Sequence, residues 1–349
     1  MNPLKRFFHL LIFIFLVYTT TQPCYSQLNL SNRIDSLLAS ENQKEFNGVI
    51  LISKNGKVQY SKSHGFSDLE NNQTLKLNDQ FILASISKQI TAVLVLQEFD
   101  KGKLQLNDPI SKYLPELKLS WADSVTIHHL LNHTSGIVAL DQPLAFIPGE
   151  KFSYSPVITY QLLGNIISKT SGKKYDELAM SLFSKCKMKN SVTAGLYKKG
   201  ALVKIYCEYE GKLKKQSIDL TELGSIAPGA GIISTAQDLK LWNDNLHNGI
   251  LISNHSYELM TKGSAIRNHP VLGVVDYGYG IQMTNNSLLE IGHAGYFEGI
   301  NSINYYFPNN KTSVIVLSNC DLHPEDINKT FYVLVKIKEI VREELLKKK

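Results

Sequence analysis

Ser85-Ile86-Ser87-Lys88, opening onto the apolar run from Ile90 to Phe99, places a hydroxyl and an amine one helical turn apart. That is the spacing a serine nucleophile needs if a lysine is to help remove its proton. The tetrapeptide does not single out a site by itself, because the same pattern recurs at Ser171 to Lys174 and at Ser184 to Lys187. Context separates the three. Only Ser85 begins a long helical run, whose buried face reads as Ile86, Ile90, Val93, Leu94 and Leu96 or Gln97, so only there is the hydroxyl anchored in a core at a helix start. The Ser171 copy straddles Gly172, a helix end, and the Ser184 copy lies among solvated lysines. An ordinary helix-cap serine with a surface lysine is the competing reading of Ser85 taken alone.

Working outward, the chain begins with Lys5 and Arg6, an apolar run from Phe7 to Tyr18, and small or polar residues ending Cys24-Tyr25-Ser26-Gln27. A run of about a dozen residues falls short of the ~20 that span a bilayer, so residues 1–26 read as a secretory signal peptide cut near Ser26/Gln27. Pro23 directly before Cys24 is a poor fit to a lipid-anchoring site. The mature protein is therefore expected outside the cytoplasm, periplasmic or secreted.

Losing Lys5 and Arg6 lowers the formal charge from +6 to +4, because no acidic residue precedes Asp35. An excess that small argues against a nucleic-acid partner. It is uneven: twelve lysines face four acidic residues between Lys169 and Lys215. A solvated face accounts for this, with weak association with an anionic envelope surface as the alternative. Cys186, Cys207 and Cys320 survive cleavage; the odd number excludes a framework of bridges but leaves open one pair, Cys186 with Cys207, or free buried thiols.

Residues 48–53 and 57–63 around Asn55-Gly56 read as a β-hairpin. Helical periodicity then runs from Ser85 to about Leu182. Strand signals return at 278–284, 287–291, 299–307 and 312–318. A final helix from about Ile327 carries Val333, Leu334, Ile337, Ile340, Val341 and Leu345 on one side. Strands at both ends around a helical block predict a discontinuous α/β domain, 27–82 with 225–349, interrupted by a mainly helical one over 83–224, with a site in the crevice between them.

Three further stretches fall in order along the chain: His133-Thr134-Ser135-Gly136, Tyr154-Ser155-Pro156, and His293-Ala294-Gly295-Tyr296, with the glycine-rich Pro228-Gly229-Ala230-Gly231 between the last two. With Ser85 and Lys88 they make nearly the whole mature chain resemble the serine hydrolases of the penicillin-binding-protein and class C β-lactamase superfamily, which includes D-alanyl-D-alanine carboxypeptidases and related esterases. The resemblance implies an α/β (α+β) fold of the β-lactamase/transpeptidase type: a mixed sheet flanked by helices, plus an inserted helical domain. It implies Ser85 as the acylated nucleophile, Lys88 as its partner in proton transfer, and Tyr154 as the proton shuttle. A free tyrosine titrates near ~10, so it serves as a base only beside a cation such as Lys88 or protonated His293. His293 would line the cleft as a cation or donor, Gly295 would let substrate approach the strand, and the amides of Ser85 and Tyr296 would form the oxyanion hole.

One position departs from the pattern. Where β-lactamases and carboxypeptidases of this group carry asparagine two residues after the tyrosine, this chain has Pro156, which offers neither a side-chain amide nor a backbone donor. An esterase or peptidase acting on a small ester, amide or D-amino-acid cell-wall peptide is favoured over an efficient β-lactamase. The alternative is a non-catalytic or slowly acylating peptide- or penicillin-binding sensor. No cofactor is implied, and no metal: His129 and His133 stand four apart, but Leu130 occupies the position where the zinc-protease pattern needs glutamate.

Overall fold

The computed structural model describes residues 29–40 and 46–347; the leader expected over 1–26 lies outside the described residues. Asn55 and Gly56 both take positive φ, the conformation a tight hairpin requires, and join β1 (Gly48–Lys54) to β2 (Lys57–His64). The C-terminal third supplies β3 (Ala265–His269), β4 (Gly273–Tyr277), β5 (Gln282–Asn286), β6 (Leu288–Phe297), β7 (Ile300–Phe307) and β8 (Thr312–Ser318). These eight form one sheet in the order β3-β4-β5-β6-β7-β8-β1-β2, in which the strands nearest the N-terminus pair with the last one. The sheet expected to be mixed is antiparallel at every pairing. A parallel pairing occurs instead in a small sheet, between Cys320–Asp321 and Ile205–Tyr209.

Helices cover both faces. A helix over residues 29–39 (α1) lies on one face with α9 (Ile327–Leu346), burying Leu30, Ile34, Phe331, Leu334 and Val341 against Ile50, Ile52, Val314 and Val316. The other face carries α2 (Ser87–Asp100), α3 (Ile127–Leu131), α4 (Ile158–Ser171), α5 (Tyr175–Lys185), α6 (Leu220–Ser225), α7 (Ala236–His247) and α8 (Asn254–Met260). Val49, Leu51, Ile315 and Leu317, pointing the opposite way along β1 and β8, belong to this second core.

The apolar stripe expected on α2 understates its burial: Ser87 to Leu96 and Glu98 are all buried. α2 is a central helix, and its polar side chains are sheltered in partnered positions. Gln89 accepts from the Trp242 indole at 3.0 Å, and Thr91 donates to the Pro228 carbonyl at 2.6 Å.

The stretch 83–224 contains a hairpin, Ile205–Tyr209 with Lys212–Gln216, closed by Glu210 and Gly211 at positive φ. Of the two readings left open for the cysteines, the structure has buried free thiols at Cys186, Cys207 and Cys320, with no Cys186–Cys207 bridge. Cys186 follows α5, while Cys207 lies on the strand that pairs with Cys320–Asp321. Among the described residues no helix is long and apolar enough to cross a membrane.

Candidate active site

Ser85 sits in a 3-10 turn, Ala84–Ile86, that runs directly into α2. The turn is entered through Ala84 at φ 47°, a left-handed conformation that a Cβ-bearing residue rarely adopts. Such strain persists only where surrounding structure enforces it, and here Leu83 and Ala84 are completely buried. Because Ser85 and Lys88 are three apart across this junction, their side chains emerge on one side: Lys88 Nζ donates to Ser85 Oγ at 3.0 Å and to the Gly229 carbonyl at 2.7 Å. The other two Ser-x-x-Lys copies make no such pair, since Ser171 Oγ bonds backbone at the end of α4 and Ser184 is exposed.

The glycine-rich stretch is held along the first turns of α2. Thr91 donates to Pro228 O, Lys88 to Gly229 O, and the Ile232 amide donates to Ser87 Oγ at 3.2 Å. A Cβ at Gly229 would stand 2.6 Å from the Pro156 carbonyl, so only glycine lets this turn pass between the lysine and the tyrosine loop.

Tyr154 reaches the same oxygen from the other side, donating to Ser85 Oγ at 2.8 Å. Its ring is clamped between the His133 ring, 4.6 Å away between centroids, and the Arg267 guanidinium carbon, 4.1 Å from its centroid. Burial raises the Tyr154 phenol, but the Lys88 and Arg267 cations and the hydrogen bonds with Ser85 and Lys88 outweigh it, leaving the group below tyrosine's ordinary value. Burial lowers the Lys88 amine, against an opposing pull from Tyr154. A base form is thus brought within reach on both sides of the serine oxygen.

Gly295 on β6 packs against the serine turn: a Cβ there would lie 2.3 Å from Leu83 O and 3.2 Å from the Ser85 amide. This brings the edge of β6, with Tyr296 next along it, to the nucleophile. The Tyr296 ring turns away, and its hydroxyl donates to Asp321 at 3.1 Å.

His293 departs from expectation. It is fully buried, not in the cleft, with Nδ1 2.5 Å from the Ala294 carbonyl and Nε2 2.9 Å from the Tyr277 hydroxyl. A carbonyl only accepts, which assigns the proton to Nδ1 and makes Nε2 the acceptor from Tyr277. Burial, reinforced by the Lys88 and Arg267 charges, holds this imidazole well below the histidine range, so it is neutral. The cations beside Tyr154 are Lys88 and Arg267.

His128 and His129 have structural partners. His129 closes a capping box with Thr126, and His128 bonds Tyr279 and Asn132. Sequence reasoning passed over Arg267, Tyr160 and Tyr277. Arg267 lies on β3, a polar edge strand that no strand signal marked; the one available hint was its rarity, since the chain has four arginines among 37 basic residues.

The beta-lactamase family model matches residues 32–336. Penicillin-binding protein 4* of Bacillus subtilis (strain 168) is 26% identical over 333 residues, covering 83% of this chain and 72% of the relative. Esterase EstB of Burkholderia gladioli is 28% identical over 184 residues, 42% of this chain and 46% of the esterase. The D-amino acid amidase of Ochrobactrum anthropi SV3, in complex with L-phenylalanine amide, superposes with a TM-score of 0.75 at 20% identity, over 90% of this chain and 99% of the amidase. That likeness establishes the β-lactamase/transpeptidase-like fold. A match over most of the chain, in a fold shared with these proteins, shows that the chain belongs to the beta-lactamase family and is a serine hydrolase of that superfamily.

Proposed function

We propose that this protein is an exported hydrolase that acts through an acyl-enzyme on Ser85. The observation that carries the reading is the convergence of Lys88 Nζ and Tyr154 Oη on Ser85 Oγ, at 3.0 and 2.8 Å. Ser85 Oγ attacks the acyl carbon; its proton passes through the Tyr154–Lys88 pair to the leaving oxygen or nitrogen as the bond to that atom breaks. Water then attacks the Ser85 ester, and its proton returns through the same pair as the acid departs and the serine hydroxyl is restored. The Ser85 and Tyr296 amides receive the developing oxyanion; one such donor is worth roughly 3 kcal/mol.

The substrate is a small ester or amide, with a D-amino-acid cell-wall peptide as the main natural candidate. Pro156 supports this preference over efficient β-lactam turnover, because it presents no N–H and its carbonyl is packed against Gly229. The division into 27–82 with 225–349 against 83–224 would place Ser85 and Tyr154 on one side of a crevice and Gly295 on the other. Export rests on the leader at 1–26, with cleavage near Ser26.

Intact-mass measurement after brief exposure to an activated ester and, separately, to benzylpenicillin tests the reading. A covalent adduct or turnover that Ser85→Ala abolishes supports it, with the ester preferred. If neither reagent modifies folded wild-type protein, the reading fails and a binding role takes its place.

A further inference from the structure

Three successive residues of the tyrosine loop, Ser153, Tyr154 and Ser155, are all tied to His133. The His133 carbonyl accepts from the Ser153 amide at 2.8 Å. Its imidazole packs on the Tyr154 ring, with 4.6 Å between centroids. Its Nδ1 lies 3.3 Å from Thr159 Oγ1, at the start of α4, and that hydroxyl donates to the Ser155 carbonyl at 2.6 Å.

The direction of these hydrogen bonds fixes the state of the ring. A threonine hydroxyl has one proton, and the Ser155 carbonyl, which can only accept, takes it. Thr159 Oγ1 therefore accepts from His133, which puts the imidazole proton on Nδ1. Nε2 is left as a bare acceptor, buried and without a hydrogen-bond partner among the described residues. Burial, reinforced by the Lys88 and Arg267 charges, holds this imidazole well below the histidine range. The ring is neutral and brings no charge of its own to Tyr154.

His133 is held there at a cost. It stands at φ 58°, two residues beyond the end of α3, in a left-handed region that histidine and asparagine enter more readily than most residues other than glycine. The orphaned Nε2 adds a second penalty. Both persist because the surroundings enforce them: the rings of Phe152, Tyr160 and Tyr277 enclose the imidazole at 5.8, 5.4 and 5.3 Å between centroids. Filling a core requires neither penalty, since an apolar side chain brings no acceptor to bury.

We propose that His133 is a positioning residue for Tyr154, holding the phenol on Ser85 Oγ by fixing the loop before, at and after the tyrosine. The inference rests on the acyl-enzyme reading above, in which Tyr154 carries the serine proton. The quantity it controls is the 2.8 Å approach of Tyr154 Oη to Ser85 Oγ. Displacing a catalytic group by about 1 Å costs on the order of a hundredfold in rate.

The test is a pair of double-mutant cycles on an activated ester, with folded enzyme counted by circular dichroism. His133→Asn tolerates the left-handed backbone and removes the ring; kcat is expected to fall on the order of a hundredfold, with KM within about twofold of wild type. Thr159→Val keeps the ring and cuts the link to Ser155, and should lower kcat on the order of tenfold. In a Tyr154→Phe background, where no phenol remains to be placed, each substitution should have little further effect. Losses that multiply with that of Tyr154→Phe overturn the inference, as does a loss expressed in KM or one that only tracks the folded fraction. Should His133→Asn fail to fold, the Thr159→Val cycle decides. Tyr154→Phe alone separates the layers: if it retains full activity, the proton-transfer reading has failed, whereas a Tyr154-dependent activity that His133→Asn and Thr159→Val leave intact rejects the role of His133 alone.

Discussion

Lys88 on α2 and Lys338 on α9 are both buried, 0% and 5% exposed, on opposite faces of the same sheet, yet their surroundings differ in kind. Lys338 forms a short ion pair with Glu290 on β6, which Arg342 also approaches at 3.5 Å, and its ammonium lies 4.6 Å from the Tyr305 ring. Lys88 meets no carboxylate: its partners are a serine hydroxyl, a backbone carbonyl and the Tyr154 phenol, with the Tyr154 and Tyr160 rings 5.4 and 5.3 Å from its nitrogen. A buried cation matched by a carboxylate has its charge compensated where it stands. One with no carboxylate beside it is held at a cost and can exchange its proton, which is what a catalytic site requires.

The largest expected effect breaks the Lys88 side of this comparison. Lys88→Met should lower kcat/KM for an activated ester roughly 10³- to 10⁴-fold. Its denaturant midpoint should hold or rise, since an apolar chain replaces an uncompensated charge. A variant that loses activity only because it unfolds would reduce Lys88 to a packing residue. Tyr154→Phe keeps the ring that His133 and Arg267 clamp, and should cost roughly 10²- to 10³-fold in kcat with KM little altered; steady-state kinetics on the same ester decide this.

Lys338→Met is the mirror experiment. Removing Lys338 leaves buried Glu290 only the more distant Arg342 at 3.5 Å, so stability should fall by about 3 kcal/mol in urea titrations. Turnover per folded molecule, counted by active-site titration, should be preserved. If Lys338→Met instead impairs catalysis without destabilising the fold, the contrast between the two lysines is wrong.

Smaller effects lie in pH. Tyr154 and Lys88 are both displaced downward, and each acts as a base when deprotonated. Activity should therefore rise with pH and level off below the ordinary tyrosine value of ~10. Arg267→Gln removes a cation that lowers Tyr154, so it should move that rising limb to higher pH. His293, neutral throughout the histidine range, should contribute no falling limb there.

Stability provides the last test. His247, packed between Tyr257 and Tyr306 and partly exposed, is pushed down to about 3 by desolvation. A depressed histidine is neutral in both states above ~6.5; below that the unfolded chain takes the proton first, so stability is full at neutral pH and declines toward about 3. His247→Phe should remove about 1.4 kcal/mol per pH unit of that decline, as read from melting curves across this range.

The two helices also show how far a sequence can be read. On α9 the expected Val333, Leu334, Ile337, Val341 and Leu345 are buried and Ile340 is partly buried, because this helix packs on the sheet along one side and its periodicity records that side. On α2 a stripe was expected and nearly total burial was found, because a helix enclosed on all sides has no polar face to mark its orientation. The missed strands β3 and β4 have the opposite weakness: β3 is the sheet edge and β4 its neighbour, and apolar Ile266 and Val274 face outward while Arg267 and His269 face inward, so the sequence lacks the apolar-in, polar-out order that marks a half-buried strand.

What the sequence determined by itself was the local chemistry and its order. A hydroxyl and an amine one turn apart, the tyrosine between helices, and the glycines where backbones touch all follow from spacing along the chain. Only the tertiary structure decided which groups are charged and where they meet. His293 was expected to line the cleft as a cation or donor, but burial leaves it neutral, its Nε2 accepting from Tyr277. Arg267, on an edge strand with no motif around it, is brought onto the face of Tyr154 by sheet register. Charge state depends on desolvation and on partners distant in sequence, and neither is encoded in the spacing of neighbours.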